Sequence, residues 1–180
     1  MDINNEIHFS PSILSSDLER ICDDELLAGY KDRLMEWYIS AAELLNSTGH
    51  GFGAGVILLT LIDCLAKVFV DENSLVGTRF KQFVEFHMNL PRPLANILYD
   101  NFRNGLVHEG RIKGNFSFSY RIGSICCKYG STTAINPEIL CKSLKSVTEE
   151  LFAQITPDKR TEIIARIKIE FGIKSPIGQR

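Results

Sequence analysis

Residues 51–70 read GFGAGVILLTLIDCLAKVFV, and nearly every position is apolar. A helix that is apolar on all sides is surrounded by other protein or by lipid. The polar residues Thr60, Asp63 and Lys67 are spaced three and then four apart, which makes one narrow polar line along such a helix. Because an unpaired buried charge is costly, Asp63 and Lys67 either pair with each other or face polar groups on another helix. This stretch predicts the central helix of a bundle.

The charges of this stretch argue against a membrane span, which needs about 20 predominantly apolar residues. Residues 1–25 are rich in acidic side chains and lack the basic start and apolar core of a signal peptide. We therefore expect a cytoplasmic protein without membrane contact.

Apolar periodicity predicts further helices on both sides of the central one. They are expected at residues 12–22 with Ser12 as the cap, 25–47, 78–88, from Pro91-Pro93 to Gly110, 136–155 and 156–171. We expect a loosely ordered N-terminal start and tail (173–180), and 180 residues fit a single domain with a full core.

The period changes to two after Gly114. Phe116, Phe118, Tyr120 and Ile122 alternate with polar residues, and Gly123-Ser124 is a two-residue turn candidate. A small β-hairpin is therefore expected near residues 115–129. It either covers a functional site, extends a dimer interface, or only packs on the bundle.

The composition is that of an ordinary globular protein, with 44% apolar and 23% charged residues. The net charge of −2 and pI near 6.1 lack the basic signature of a nonspecific nucleic-acid binder. This counts against an RNA substrate, although a site built across a dimer can concentrate two arginines locally. The five cysteines include no Cys-x-x-Cys pair, so we expect no zinc site, no other metal and no cofactor.

Residues 102–110, FRNGLVHEG, hold the polar residues that suggest chemistry. The apolar stripe of the same helix consists of Leu94, Leu98, Phe102 and Leu106. At about 100° per residue, Asn104 and His108 lie on the opposite face, with Asp100 one turn earlier and Arg103 at the edge. The alternative is an ordinary solvated helix face. Gly105, inside the helix, suggests close approach by another backbone or a ligand.

These residue types suit phosphodiester cleavage without a metal. A histidine exchanges protons near neutral pH, so His108 could activate a ribose 2′-hydroxyl. The planar guanidinium of Arg103 could hold the phosphate and stabilise its developing charge. The amide of Asn104 could orient either partner.

The segment Arg103-Asn104-Gly105-Leu106-Val107-His108 resembles the Arg-Asn-x-x-x-His motif of the HEPN superfamily (higher eukaryotes and prokaryotes nucleotide-binding domains). The resemblance covers roughly residues 30–155. It implies an all-α, antiparallel helical bundle in which the motif lies in the C-terminal half of a helix. The preceding long helix carries an acidic residue on its inner side, which matches Asp63.

The resemblance also implies a function. Active members are metal-independent endoribonucleases that work as homodimers, leave a 2′,3′-cyclic phosphate, and often serve as toxins or in defence against phage. Arg103, Asn104 and His108 would then be catalytic. Asp63 would support His108, and Lys67 and Asp100 are further supporting candidates. The alternative is a non-catalytic module that binds a nucleotide, RNA or a protein partner such as an antitoxin.

Overall fold

The computed structural model describes residues 2–3, 6–70 and 74–173, and this part of the chain is mostly helical with two small sheets. The six helices of these residues are α1 (Asp23–Leu34, continuing through a π-helical segment Met35–Ser40 into Ala41–Ser47), α2 (Gly51–Phe69), α3 (Val76–Phe86), α4 (Arg92–Ile97, a π-helical segment Leu98–Arg103, and Asn104–Glu109), α5 (Pro137–Ala153) and α6 (Pro157–Glu170). The strands are β1 (Asp2–Ile3), β2 (Glu6–Ser10), β3 (Ile13–Leu14), β4 (Phe116–Phe118), β5 (Cys126–Tyr129) and β6 (Thr132–Ile135). A largely helical fold is thus confirmed.

Helix α2 is the centre of the molecule, because it packs against the other five helices. Its side chains Leu58, Leu59, Leu61 and Ile62 are completely buried, and each such burial contributes about 1.5–3 kcal/mol. By length and composition alone α2 could cross a membrane. In this structure its apolar residues contact the neighbouring helices, as the apolar stretch predicted.

Helix α4 is continuous but irregular. In its π-helical segment the backbone N–H of Asn104 donates to the carbonyl of Tyr99, five residues earlier. Each π turn takes in one more residue than an α turn, so side chains beyond it are rotated from the positions that a regular period predicts. Arg103 is the last residue of this segment, and its guanidinium contacts His108, five residues later in the regular part of the helix.

The end of α4 explains its two glycines. Gly110 has a left-handed φ of 66° and caps the helix, as its sequence position indicated. The chain then folds back on the helix, so that a Cβ on Gly105 would lie 2.3 Å from the carbonyl oxygen of Arg111. The close approach expected at Gly105 is therefore made by another stretch of backbone.

The N-terminal region differs from the predicted helix at residues 12–22. Strands β1, β2 and β3 form an antiparallel sheet in that order, and only a 3₁₀ turn at Ser15–Asp17 is helical. Ser12 caps no helix; its hydroxyl donates to Asp32 Oδ2 at 2.8 Å. Phe9 of β2 packs edge-on against Phe171 at 4.8 Å, so a contact distant in sequence fixes this segment.

The second sheet corrects the predicted hairpin. Strand β6 lies in the middle, antiparallel to β5 and parallel to β4. The tight turn is at Gly130-Ser131, where Gly130 has φ 59°, and not at Gly123-Ser124. A glycine with positive φ suits a short hairpin turn, whereas Asn136 Nδ2 donates to the carbonyl of Ile122 and holds the longer connection.

Strand β4 packs on the bundle beside the motif-bearing helix. The rings of Phe116 and Phe118 lie 5.9 and 5.1 Å from that of Phe102 on α4. Phe118 also sits against Gly55, where a Cβ would come within 2.0 Å of its ring. Of the three roles that the sequence allowed for this segment, the structure shows packing on the bundle. Of the tail expected at 173–180, residues 174–180 lie outside the described residues.

Candidate functional site

The guanidinium of Arg103 joins the residues singled out in the sequence. Its Nε donates to Asp63 Oδ2 at 2.7 Å. Its Nη1 lies 3.2 Å from Asn104 Oδ1 and 3.0 Å from His108 Nε2. Three residues of α4 and one of α2 thus form a single hydrogen-bonded network around one arginine.

The packing of α2 against α4 positions this network. The side chains of Arg103 and Asp63 are only 15% and 20% exposed, and the guanidinium lies over the Tyr99 ring at 5.6 Å. Burial raises the pKa of the Asp63 carboxyl, whereas the hydrogen bond and charge of Arg103 act in the opposite direction. The ion pair between Asp63 and Arg103 is therefore poorly hydrated and geometrically fixed.

The contact between Arg103 and His108 defines the proton on the imidazole. A guanidinium can only donate hydrogen bonds, so Nε2 of His108 must accept and the ring proton must be on Nδ1. His108 is exposed at the surface, which leaves it accessible to a ligand. A phosphate oxygen bound to Arg103 would therefore lie close to a histidine nitrogen that can accept a proton.

Asp63 contacts His108 only through Arg103. The hydrogen bond and ion pair that the structure gives Asp63 are both with Arg103. The supporting role expected of Asp63 therefore acts through the guanidinium: its carboxylate positions the arginine, which in turn contacts His108.

The other two supporting candidates are paired elsewhere. Lys67 forms an ion pair with Glu170 of α6, not the i, i+4 pair with Asp63 that the sequence allowed. Asp100 pairs with Lys81 of α3 at 2.9 Å, because the π-helical segment separates its row from that of Asn104 and His108. Neither residue joins the hydrogen-bonded network of Arg103.

A cleft of about 330 Å³ adjoins the network. Its lining includes Asp63, Lys67, Val76, Arg79, Arg103 and Glu170, which come from four different helices. Arg79 lines the same cleft as Asp63, and its charge partly offsets the rise that burial causes in the pKa of the Asp63 carboxyl. Arg79 was missed from the sequence because no local pattern relates α3 to the motif. The cleft is within the size range of small-ligand sites, about 300–1,000 Å³.

Carboxylates accompany the cations around the motif. Glu109 pairs with both Arg111 and Lys113, at 2.9 and 2.6 Å. Together with the pairs of Lys81, Lys67 and Arg103, most of the described cations around the motif are thus in contact with a carboxylate. The local balance agrees with the mildly acidic composition of the chain.

Within residues 2–3, 6–70 and 74–173, no three His, Cys, Asp or Glu side chains are grouped as a metal site would require.

The chain matches no protein-family model, no curated protein and no solved structure. The arrangement around Arg103 is therefore the basis on which a function can be inferred.

Proposed function

We propose that the protein is a HEPN-type endoribonuclease that cleaves RNA without a metal ion. Arg103, Asn104 and His108 are its catalytic residues. The observation that carries this proposal is the Nη1 atom of Arg103, which contacts both the Asn104 amide and the His108 imidazole. A phosphate-binding cation and a proton acceptor are thereby held within one hydrogen bond of each other, as acid–base cleavage of a phosphodiester requires.

The first step is binding of the scissile phosphate. Nη2 of Arg103 has no hydrogen-bond partner among the described residues, because the hydrogen bonds of this side chain use Nε and Nη1. A phosphate can therefore take Nη1 and Nη2 together in the two-point geometry that guanidinium groups favour. When Nη1 donates to the phosphate, it no longer donates to Nε2 of His108, and that nitrogen is free to accept a proton.

The second step is attack by the ribose. Nε2 of His108 removes the proton of the 2′-hydroxyl, and the 2′-oxygen forms a bond to the adjacent phosphorus. The bond from phosphorus to the 5′-oxygen breaks, and that oxygen takes a proton from solvent or from His108 of a second copy. The products carry a 2′,3′-cyclic phosphate and a 5′-hydroxyl, and the charge that develops on the phosphate is stabilised by Arg103.

A homodimer would complete this site. Val107 lies inside the motif, immediately before His108, and is 45% exposed, while Val76 in the lining of the cleft is 46% exposed. Apolar side chains on both sides of Arg103 are the kind of surface that association covers. Two copies that meet through α4 would place a second arginine and histidine near each RNA phosphate.

The direct test is RNA cleavage in EDTA. Labelled structured and single-stranded RNAs are incubated with the wild-type protein, with His108→Ala and with a matched control, His50→Ala. His50 is exposed and precedes α2, about 20 Å along that helix from Asp63. We expect cleavage with cyclic-phosphate ends by the wild type and His50→Ala only. Cleavage retained by His108→Ala would overturn the assignment.

The pairing of cations with carboxylates around the motif favours a second candidate. In that case the protein is a non-catalytic module that binds a nucleotide, RNA or a protein partner such as an antitoxin, and Arg103 anchors the ligand. It would bind labelled RNA in anisotropy titrations, weakened by Arg103→Ala, without cutting any RNA tested.

The proposed role as a toxin or phage-defence effector has its own readout. Cells that express the wild-type protein should stop growing, and the arrest should be relieved by His108→Ala but not by His50→Ala. Normal growth with abundant wild-type protein would count against a toxin and favour the binding module.

A further inference from the structure

A separate cleft of about 550 Å³ lies at the C-terminal end of α2. It is formed where α2, α3 and α5 end and α6 begins, and none of its lining residues belongs to the Arg103 network. The volume is within the range of sites that bind small organic molecules, about 300–1,000 Å³. The cleft is therefore a candidate binding site independent of the proposed nuclease centre.

Five of the residues that line this cleft are apolar. They are Val68 and Phe69 from α2, Leu151 from α5, Ile155 from the following turn, and Ile163 from α6. Val68 and Ile163 belong to the buried core, while the other three are only partly covered. A ligand with a flat or branched hydrocarbon part would remove the remaining exposed apolar area from water.

The polar residues of the cleft carry one uncompensated charge. Lys159 is exposed and has no ion pair or hydrogen bond with any residue that the structure describes. It lines the same cleft as His87, and burial, followed by the charge of Lys159, lowers the pKa of that imidazole. A lysine without a partner beside a partly buried histidine attracts an anion into the cleft.

Arg166 is held differently from Lys159. Its Nη1 donates to the carbonyls of Val68 and Val70, and its Nη2 pairs with Glu162. The Glu162 carboxylate balances its charge, but Nε is buried and has no hydrogen-bond partner among the described residues. A buried donor without an acceptor is costly, but the burial of this atom keeps it from a ligand in the cleft, so Lys159 is the cation that a ligand would contact.

We propose that this cleft binds a small organic anion with an apolar body. Lys159 holds the carboxylate, sulfonate or phosphate, and Phe69, Leu151 and Ile155 contact the hydrocarbon part. The inference does not depend on the proposed nuclease activity, because it uses other residues on other parts of the fold.

Two fluorescent probes test the charge and the apolar body separately. 8-Anilinonaphthalene-1-sulfonate carries an anion, and N-phenyl-1-naphthylamine has the same skeleton without it. We expect Lys159→Glu to weaken sulfonate binding about tenfold or more, the effect of losing one charge-assisted contact. The affinity for the uncharged probe should change less than about twofold.

Lys128→Glu is the matched control, because Lys128 is exposed on β5 and the substitution changes the net charge equally. It should leave the affinities for both probes unchanged. Equal weakening of sulfonate binding by Lys159→Glu and Lys128→Glu would overturn the proposal, as would no weakening by either.

Backbone amide shifts then locate the bound probe. With the sulfonate present, the shifted signals should come from residues near 68–69, 87 and 151–166. Shifts confined to other surfaces would overturn the proposal even if a probe binds. Because Lys159 has no partner to lose among the described residues, Lys159→Glu is expected to fold normally.

Discussion

At the scale of single residues, Arg103 determines what the site can do. Its Nε donates to Asp63, and its Nη1 contacts both Asn104 and His108. Its Nη2 has no hydrogen-bond partner among the described residues and is available to a ligand. The same atoms thus set the position of the arginine and the tautomer of the histidine. A change at Asp63 should therefore affect chemistry at His108 without touching it.

Asp63→Asn should lower both stability and RNA cleavage. The amide keeps the shape of the carboxylate but leaves the mostly buried Arg103 without an anion, at a cost of about 1–3 kcal/mol. Urea unfolding measures the stability change, and single-turnover cleavage measures the activity.

Asp100→Asn is the matched control for Asp63→Asn. Its side chain is 52% exposed and pairs with Lys81, so the expected stability change is below about 1 kcal/mol. Equal losses in the two variants would show that Asp63 has no special role in positioning Arg103.

His87 should make stability depend on pH. Burial, and then the charge of Lys159, lower the pKa of His87 below its usual 6.5. The unfolded chain therefore binds a proton at a higher pH than the folded chain does, and the free energy of unfolding falls as the pH drops from about 6.5 through the lowered pKa. Above pH 6.5 this contribution is fully present.

The measurement is urea unfolding at pH 7.5 and at several lower pH values. His87→Gln should reduce the loss of stability below pH 6.5, while His50→Gln, at an exposed position, should follow the wild type. If His87→Gln and the wild type lose stability in parallel, His87 is not the titrating group.

Much of the site could be predicted at the residue scale, but not its centre. The spacing of Asn104 and His108 put them on one face of the helix, and of the two alternatives left open for Asp63 the structure shows contact with a polar group of another helix. The central position of Arg103 depends on its hydrogen bond to Asp63 of another helix, which no local pattern of the sequence encodes. Arg79 and Glu170 reach the cleft from other helices, so only tertiary packing brings them there.

At the scale of elements, the turn after α4 fixes the end of the motif-bearing helix. The carbonyl oxygen of Arg111 would lie 2.3 Å from a Cβ on Gly105, which is too close for any residue with a side chain. The loop is thereby held against the helix one turn before His108.

Gly105→Ala should destabilise the protein by about 1–3 kcal/mol, because the new methyl group overlaps backbone atoms that cannot move freely. Gly53→Ala is the matched control in α2, where a Cβ would lie 3.4 Å from the flexible Leu45 side chain. It should be neutral or stabilise by up to about 1 kcal/mol. Thermal unfolding compares them, and a more stable Gly105→Ala would contradict the packing described.

The helices with long apolar stripes were predictable, and strands β4 and β5 lie within the hairpin expected near residues 115–129, but the pairing of the strands was not predictable. Strand β4 alternates clearly, yet its partner is β6 and not the nearer segment, since Gly130 and not Gly123 makes the tight turn. The N-terminal sheet is stabilised by Phe9 against Phe171, a contact 162 positions apart in the chain that no local pattern encodes.

At the scale of the whole molecule, one helix connects all the others. Since α2 contacts every other helix, the Arg103 network on one side and the apolar cleft at its end share one rigid element. Exposed apolar side chains remain near the motif, and this is where the proposed homodimer would form.

Val107→Asp should therefore dissociate the dimer and reduce RNA cleavage without unfolding the monomer, because Val107 is already 45% exposed. Light scattering after gel filtration measures the mass. Tyr129→Asp, at a position that is 80% exposed on β5, should leave the dimer intact. A wild-type protein that is monomeric at all concentrations would contradict this arrangement.

Strands β4 and β6 pair directly, although the chain between them is long. The exposed residues 123–124 lie in that connection. A chain cut there would keep β4 beside β6, and α5 and α6 would still pack on α2. The fragments 1–123 and 124–180 are therefore expected to reassemble when produced separately. The molecule could serve as a split reporter, in which two separately produced fragments form one hydrophobic core when they associate.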